Sequence, residues 1–322
     1  MVRAAALSRP ALMDPRLREA GKRALHKGFM VGQRLGVDVL PRHYYSQIPD
    51  IGELRREQAW RRPYDMHAIR GSDLEDQIAR ARASCPPELS RRLPDLDVHA
   101  AACAANGAVG YGRAEADFLF CWIATHRPPR VVQVGCGVST HVILRAAAEV
   151  GHSVEIRCVE PYPTATLLEL AREGRIELIQ RRAQELPPSE LADAEAGDLL
   201  FIDSTHAVRP GGEVPRLVLE VLPRLAPKVN VHFHDILFPY GHRPGLLNDD
   251  LFFWSESLLL QAFLTDNARC RLEVSLSMLH HGAPDVLAEL LPGYRPMPMP
   301  DGLRAYGATG DFPAATFLQT SM

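Results

Sequence analysis

The chain has 322 residues, of which 46% are hydrophobic and 23% charged, so it can bury a sizeable core. Its formal net charge of -3 excludes the global basic character that is typical of nucleic-acid-binding proteins. No apolar run approaches the roughly 18 residues that span a bilayer, and six scattered cysteines without a CxxC pair are typical of a reducing compartment. We therefore expect a cytoplasmic protein without stable membrane insertion, and we do not expect a nucleic-acid partner.

Residues 1–110 are rich in arginine, broken by prolines and predicted to form an N-terminal extension of helices and irregular segments. A helix is predicted over 14–36, and Ser72 and Glu75 have the capping-box spacing of a second helix. Residues 1–30 are basic, which is typical of a solvated helix face and also of a helix that lies on a membrane surface. We expect the extension to cap the functional site or to form a homodimer contact.

From residue 111 to residue 322 the predicted helices and strands alternate. The strands are predicted at 130–135, 153–160, within 176–186, and at 198–205, 228–236, 271–279 and 314–320, and the helices at 114–126, 139–151, 165–174, 211–225 and 251–264. Short apolar strands between helices predict an α/β fold with a doubly wound, mostly parallel, Rossmann-like sheet. In such a sheet ligands bind beyond the carboxyl ends of the strands.

A glycine turn follows the first predicted strand. Gly135 and Gly137 suit a backbone that turns sharply and approaches a ligand closely. A dinucleotide fingerprint would need a third glycine where Thr140 stands, which disfavours an NAD-dependent oxidoreductase. Glu160 ends the second strand, where an acid can accept hydrogen bonds from both ribose hydroxyls of a nucleoside. The turn and the acid together predict a nucleoside cofactor.

Histidines and aspartates cluster after the fourth and fifth predicted strands. Asp203 and His206 follow the fourth strand, and His232, His234 and Asp235 end the fifth. Neighbouring strands lie about 4.8 Å apart, so these residues are expected to face one crevice. Strand alternation places the two histidines of the fifth strand on one face and its aspartate on the other. We predict that His232 is a core residue and that His234 and Asp235 belong to the site.

The segments GCGVST, FIDSTH and VHFHDI occur in the order found in class I S-adenosylmethionine-dependent methyltransferases grouped as methyltransferase family 24, which residues 110–280 resemble. The resemblance implies the class I fold, S-adenosyl-L-methionine as methyl donor, and a small-molecule acceptor methylated most often through oxygen. Carboxyl or N-methylation is the alternative within the class. A catalytically silent cofactor-binding protein is a further alternative, because Gln133 replaces the acid and Ser139 the third glycine of the family's signature.

The resemblance also implies positions for cofactor contacts. Glu160 would hold the ribose, Gln184 would flank the adenine, and Asp203 would lie near the methionine amino group or the acceptor. From their place in the chain, Tyr111 and Glu115 are expected to close over the cofactor. The complete set of predicted cofactor contacts is Gln133, Gly135, Gly137, Ser139, Glu160, Asp203, Tyr111 and Glu115. The loop after the fifth strand is expected to form a substrate lid with acceptor contacts at Tyr240, His242, Arg243 and Trp254.

Two hypotheses for catalysis are open. In the first, Asp203, Asp235 and His206 bind a divalent cation that lowers the pKa of the acceptor hydroxyl. In the second, which we favour, no metal binds, and His206 or His234 is the general base while Asp235 orients a histidine. The metal-dependent pattern usually has asparagine after the second aspartate, where this chain has Ile236. A carboxylate acceptor would need no base, because it is already ionised at neutral pH.

Overall fold

The structure is a computed structural model that describes residues 15–321. The predictions that concern residues 1–14 lie outside the described residues. The chain divides after Leu54 into two compact units, and residues 55–110 belong to the same unit as the sheet. The predicted division into an extension over 1–110 and a catalytic domain over 111–322 stays a prediction.

Seven strands form one sheet in the order β3-β2-β1-β4-β5-β7-β6. The strands are β1 (Arg130–Val134), β2 (Glu155–Val159), β3 (Glu177–Ile179), β4 (Leu199–Ile202), β5 (Asn230–Phe233), β6 (Cys270–Ser275) and β7 (Thr316–Thr320). All neighbouring pairs are parallel except those that involve β7, which runs antiparallel to both β5 and β6. The prediction of a mostly parallel, Rossmann-like α/β sheet is confirmed.

The helices precede, connect and cover the strands. They are α1 (Pro15–Arg34), α2 (Ile51–Arg56), α3 (Leu74–Ser84), α4 (Pro87–Ser90), α5 (Leu93–Leu96), α6 (Val98–Asn106), α7 (Arg113–His126), α8 (Val138–Glu149), α9 (Ala165–Arg172), α10 (Pro188–Leu191), α11 (Glu213–Arg216), α12 (Glu256–Leu264), α13 (Leu276–Gly282) and α14 (Pro284–Leu290). A π-helical turn over Leu217–Val221 and a 3-10 turn over Leu222–Arg224 continue α11. No helix within residues 15–321 is long and apolar enough to cross a membrane.

Several predicted boundaries differ from the structure, and three of them are wrong for an evident local reason. The side chain of Asp73, and not Ser72, caps α3, because it accepts a hydrogen bond from the backbone N–H of Asp76. The sixth strand stops at Ser275, whose side chain caps α13. The helix predicted over 251–264 starts only at residue 256, since Leu251 has a φ of +50°, which no right-handed helix contains.

Apolar side chains cover both faces of the sheet, as expected for parallel strands between helical layers. Along β4, Leu199 and Phe201 face the layer that contains α7 and α8, while Leu200 and Ile202 face the layer that contains α12. All four side chains are at most 1% exposed. Along β4 the sheet is therefore covered on both faces, and ligands can approach this strand at its carboxyl end.

Candidate functional site

The glycine turn joins the carboxyl ends of three strands. Gly135 has a φ of +81°, and a Cβ atom there would lie 1.7 Å from the carbonyl oxygen of Asp203. The backbone N–H of Gly135 donates to the carbonyl of Val159 at 3.1 Å, and that of Asp203 donates to Val134 at 2.8 Å. Only glycine fits this conformation and this close approach. Hydrogen bonds at this turn thus connect the carboxyl ends of β1, β2 and β4. The turn lies at β1, from which the sheet continues to β2 on one side and to β4 on the other.

Gln133 and Ser139, two of the predicted cofactor contacts, lie inside the protein. Gln133 is fully buried, and its side-chain Nε2 donates to Oγ of Ser139 at 2.8 Å. Its Oε1 accepts from Thr140 Oγ1 at 2.9 Å, and that hydroxyl accepts from the backbone N–H of Gly137 at 3.2 Å. The amide that replaces the family's acidic residue therefore fixes the start of α8 against β1.

A cavity of about 570 Å³ opens at the ends of β1, β2 and β4. It contains four residues predicted from the sequence, namely Gly135, Glu160, Gln184 and Asp203. The carboxylate of Glu160 accepts from the backbone N–H groups of Cys136 at 3.1 Å and Tyr162 at 2.9 Å, so two neighbouring loops orient it. Arg182 and Arg209 also line the cavity, and so do three residues for which the sequence carried no signal, namely Tyr162, Thr205 and Glu213.

His206 is the centre of the predicted histidine and aspartate cluster. Its Nε2 lies 3.5 Å from Oδ1 of Asp203 and 3.5 Å from Oδ2 of Asp235. Its Nδ1 lies 2.8 Å from Oε2 of Glu256, a carboxylate on α12 that is 1% exposed and that the sequence analysis did not identify. His206 and Asp235 have φ values of +57° and +54°, a conformation that persists only where surrounding contacts enforce it.

The charges around His206 fix its protonation state. Burial alone would lower the pKa of His206, but the hydrogen bonds to Asp203 and Glu256 outweigh burial and raise that pKa to about 10. The same imidazolium, with His234, holds the pKa of Asp203 below its usual value despite burial of that carboxyl. At neutral pH His206 is therefore a cation with both ring nitrogens protonated, and it has no site that can accept a proton.

His234 lies beside this cation, under the ring of Tyr111 at a centroid distance of 4.6 Å. Its Nε2 is 3.8 Å from Oδ2 of Asp235, and its buried Nδ1 has no hydrogen-bond partner among the described residues. Burial would lower the pKa of His234, but the charges of Asp203, Asp235 and Glu115 raise it. Like His232, His234 has a ring nitrogen that is not engaged in a hydrogen bond, but of these two only His234 has a raised pKa.

His232 is fully buried, as predicted, and stacks on Phe201 at a centroid distance of 4.2 Å. Burial holds its pKa well below the usual value, so the ring is neutral. Its Nε2 lies 3.3 Å from the hydroxyl of Tyr111. Glu115 is buried nearby and accepts from the backbone N–H of Ala314 at 3.0 Å. Tyr111 therefore packs against the two histidines, and neither Tyr111 nor Glu115 lines the large cavity.

A smaller cavity of about 190 Å³ borders the cluster at Asp235 and is also lined by Arg243, among others. The guanidinium of Arg243 lies 4.0 Å from the ring centroid of Trp254, and its Nε lies 3.2 Å from Oδ2 of Asp250. The Trp254 ring in turn packs on His206 at 4.5 Å. Two of the predicted acceptor contacts, Arg243 and Trp254, thus reach the cluster.

The other two predicted acceptor contacts lie in a separate aromatic group. His242 packs edge-on against Trp60 at 4.8 Å, and Tyr240 packs against His281 at 4.6 Å. Neither Tyr240 nor His242 lines the small cavity. Within residues 15–321, moreover, no group of three His, Cys, Asp or Glu side chains has an arrangement that could hold a metal ion. Asp203 and Asp235 instead converge on the protonated Nε2 of His206.

Parts of this chain are similar to known proteins. Residues 132–236 match a family described as a methyltransferase domain, methyltransferase family 24. An uncharacterised protein of Archaeoglobus fulgidus is 29% identical over 147 residues, which are 44% of this chain and 66% of that protein. The chain therefore spans just under two thirds of the length of this relative.

Two solved structures are similar at low identity. One is a Podospora anserina methyltransferase bound to SAH, with 15% identity over 88% of this chain and 99% of that chain and a TM-score of 0.39. The other is a candidate O-methyltransferase from Klebsiella pneumoniae, with 15% identity over 72% of this chain and 95% of that chain and a TM-score of 0.43. Neither likeness is close enough to bear on the site. The family match covers most of β1, the glycine turn and all of β2 to β5, and it confirms the predicted resemblance of residues 132–236 to a methyltransferase domain of the family 24 type.

Proposed function

We propose that the protein is an S-adenosylmethionine-dependent methyltransferase that methylates an oxygen of a small molecule. The observation that supports this most directly is the adjacency of the large cavity and the charged cluster, which share Asp203. The cofactor supplies an electrophilic methyl group on its sulfonium sulfur. The chain's own residues have to align an acceptor with that methyl group and remove the acceptor's proton.

The residues of the large cavity fit a nucleoside cofactor. Its volume of about 570 Å³ is within the range of ligand pockets. Gly135 has no side chain, so the backbone at the end of β1 stays accessible to a ligand. Glu160 lies at the end of β2, and its carboxylate oxygens can accept hydrogen bonds from ribose hydroxyls. Gln184 lies where the adenine would lie. We assign Gln133 and Ser139 to positioning the turn, and not to contact with the cofactor.

We propose His234 as the general base. His206 is held as a cation by three carboxylates, so it can stabilise charge and orient Asp203 and Asp235 but cannot accept a proton. His234 has a ring nitrogen without a hydrogen-bond partner, and its raised pKa makes it a stronger base than an ordinary imidazole. The proton of the acceptor hydroxyl passes to His234 as the oxygen attacks the methyl group. Arg243 and Trp254 are proposed to contact the acceptor beside Asp235.

Carboxyl methylation is the second candidate, because Arg243 and Asp235 border the small cavity and an arginine can orient a carboxylate acceptor. Such an acceptor would need no base. A variant His234→Ala that keeps its turnover would therefore favour a carboxylate acceptor over a hydroxyl. The metal hypothesis predicts that EDTA abolishes turnover and that magnesium restores it, whereas our proposal predicts that activity survives EDTA.

Calorimetric titration with S-adenosylmethionine, S-adenosylhomocysteine and NAD tests the proposal. We expect both sulfur nucleosides to bind and NAD not to bind. Binding of NAD alone would overturn the assignment. Binding of the sulfur nucleosides without turnover on a broad panel of hydroxyl, carboxyl and amine acceptors would favour a silent cofactor-binding protein.

Three proposals concern the whole chain. We propose that residues 1–110 extend a catalytic part at 111–322, that the protein works in the cytoplasm, and that it forms a homodimer. Light scattering of the purified chain at several concentrations measures the oligomeric state, and a monomer at all of them would contradict the homodimer.

A further inference from the structure

The first compact unit presents a basic, amphipathic helix. Helix α1 has one acidic residue, Glu19, and six basic residues, which are Arg16, Arg18, Lys22, Arg23, Lys27 and Arg34. The chain as a whole carries a formal charge of -3, so this positive charge is local. At 20 residues the helix is about 30 Å long, which gives an extended charged surface.

The charged side chains of α1 lie mainly on one side of the helix. At about 100° per residue, Glu19, Lys22 and Arg23 fall on that side, together with the apolar Phe29 and Met30. Leu17 and Val31 fall on the opposite side with Ala24 between them, and Leu25 borders it; the three larger side chains are 64%, 54% and 45% exposed in that order. A helix with a basic side and an exposed apolar side is the form that lies in the plane of a membrane surface.

The segment that follows α1 continues the exposed apolar surface. Its apolar and aromatic residues are between 56% and 94% exposed, namely Leu35, Val37, Val39, Leu40, Tyr44 and Tyr45. Tyr44 and Tyr45 contact each other edge-on at 5.2 Å and are 94% and 83% exposed. Tyrosine is enriched where a membrane meets water, because its ring is apolar and its hydroxyl is polar.

We propose that α1 and residues 35–45 form a peripheral docking surface for an anionic phospholipid membrane. The long basic side chains that flank the apolar side, such as Arg18 and Lys27, extend to acidic headgroups, and the apolar side together with the exposed tyrosines enters the headgroup boundary. A second copy of the chain is a poorer occupant, because two helices of like charge repel. A nucleic acid would pair with the basic side but would leave Leu17 and Val31 without a partner. The proposal does not rest on the methyltransferase assignment.

Co-sedimentation of the full chain with vesicles tests the proposal. We expect binding to vesicles of mixed phosphatidylcholine and phosphatidylserine, weaker binding as salt is raised, and little binding to phosphatidylcholine alone. Each basic residue near an anionic surface strengthens partitioning roughly fivefold. The triple variant Lys22→Gln, Arg23→Gln and Lys27→Gln should therefore bind roughly 100-fold more weakly. A wild-type chain that ignores the anionic vesicles would overturn the proposal.

Two further variants separate the lipid surface from other partners. The variant Leu17→Ala, Leu25→Ala and Val31→Ala keeps every charge and should also lose vesicle binding, with circular dichroism confirming an unchanged helix content. A matched control, Arg62→Gln with Arg172→Gln and Arg175→Gln, removes three exposed positive charges elsewhere and should bind like the wild type. The docking surface would be refuted if the control lost as much vesicle binding as the charge variant of α1. It would also be refuted if the apolar variant bound vesicles as strongly as the wild type. Stronger binding to an RNA oligonucleotide than to vesicles, unaffected by the apolar changes, would assign the helix to nucleic acid instead.

Discussion

The Nδ1 atom of His206 lies 2.8 Å from the Oε2 atom of Glu256, a carboxylate 50 residues away that is 1% exposed. The backbone carbonyl of His206 also accepts from the N–H of Glu256 at 3.2 Å. Burial raises the pKa of Glu256, and the hydrogen bond to His206 works against that rise. The pair thus connects the loop after β4 to the start of α12 and holds His206 against a buried carboxylate.

Replacing Glu256 should destabilise the protein strongly. Removing one partner of a buried ion pair leaves the other charge without compensation, which costs about 3–5 kcal/mol. We expect Glu256→Ala to lower the free energy of unfolding by that amount and Glu256→Gln to lower it less, because the amide oxygen can still accept from His206. Chemical denaturation measures both. As a control, Glu169→Gln removes an exposed ion-pair partner of Arg172 and should have little effect; a loss as large as that in Glu256→Ala would contradict this role of Glu256.

His206 should make stability fall at alkaline pH. Its pKa is about 10 in the folded protein and near 6.5 in an unfolded chain. The stabilisation is therefore fully present below pH 6.5 and is lost as the pH rises through 10, with a slope of about 1.4 kcal/mol per pH unit. We expect the free energy of unfolding of the wild type to fall over this interval relative to His206→Asn, since subtraction removes the contribution of other titrating groups. Parallel curves for the two proteins would show that His206 does not hold its proton.

The acidic limb of the activity profile should report on His234. The charges around it raise its pKa above 6.5, so the neutral form that accepts a proton appears only at higher pH. We expect kcat/KM to rise with pH through that raised pKa and to fall about 100- to 10,000-fold in His234→Ala. Asp235→Asn removes one charge that raises the pKa and should shift the acidic limb to lower pH. If the acidic limb does not shift in Asp235→Asn, the pH dependence of kcat/KM does not report the titration of His234.

Gly135 should not accept even a methyl group. Its φ of +81° is strained for alanine, and the new Cβ would lie 1.7 Å from the carbonyl oxygen of Asp203. We expect Gly135→Ala to lower the free energy of unfolding by more than about 1–3 kcal/mol and to abolish binding of S-adenosylhomocysteine. Gly110→Ala is the matched control, since the added Cβ would meet only a Val138 methyl at 3.8 Å. If both variants melt and bind alike, the turn does not depend on the glycine.

Glu160 should contribute to cofactor affinity. Hydrogen bonds to a charged acceptor are worth about 1.5–3 kcal/mol, so Glu160→Gln should weaken S-adenosylhomocysteine binding by about tenfold or more. Glu155, on the same strand, is exposed and far from the cavity, and Glu155→Gln is expected to bind normally. Calorimetry gives both dissociation constants. If the two variants bind S-adenosylhomocysteine with equal affinity, Glu160 does not contact the ribose.

The parts of the fold that follow from local pattern were predictable. Short apolar runs between helices indicated every strand of the sheet, and the rule that ligands bind at strand ends brought Asp203, His206 and Asp235 together. Gly135 was predictable for the same reason, because a turn between a strand and a helix at a ligand site needs its freedom. These features depend on residues that are close in sequence or on one regular geometry.

Other features depend on distant contacts and could not be read from the pattern. Glu256 lies in an apolar stretch, and only the packing of α12 against the loop after β4 gives it His206 as a partner. Gln133 was predicted to contact the cofactor because it stands where the family's signature has an acid, but the fold turns its amide to Ser139. Tyr240 follows the fifth strand closely, yet the loop turns it toward His281.

Two separate cavities border the carboxylates that meet at Nε2 of His206. The large cavity borders Asp203, the small cavity borders Asp235, and the two share no lining residue. If they hold the proposed substrates, the nucleoside and the acceptor enter through different openings and meet beside these two carboxylates. Neither would obstruct the other's entry or exit, so steady-state kinetics should show a random order of addition, and the spent nucleoside could exchange while the acceptor stays in place.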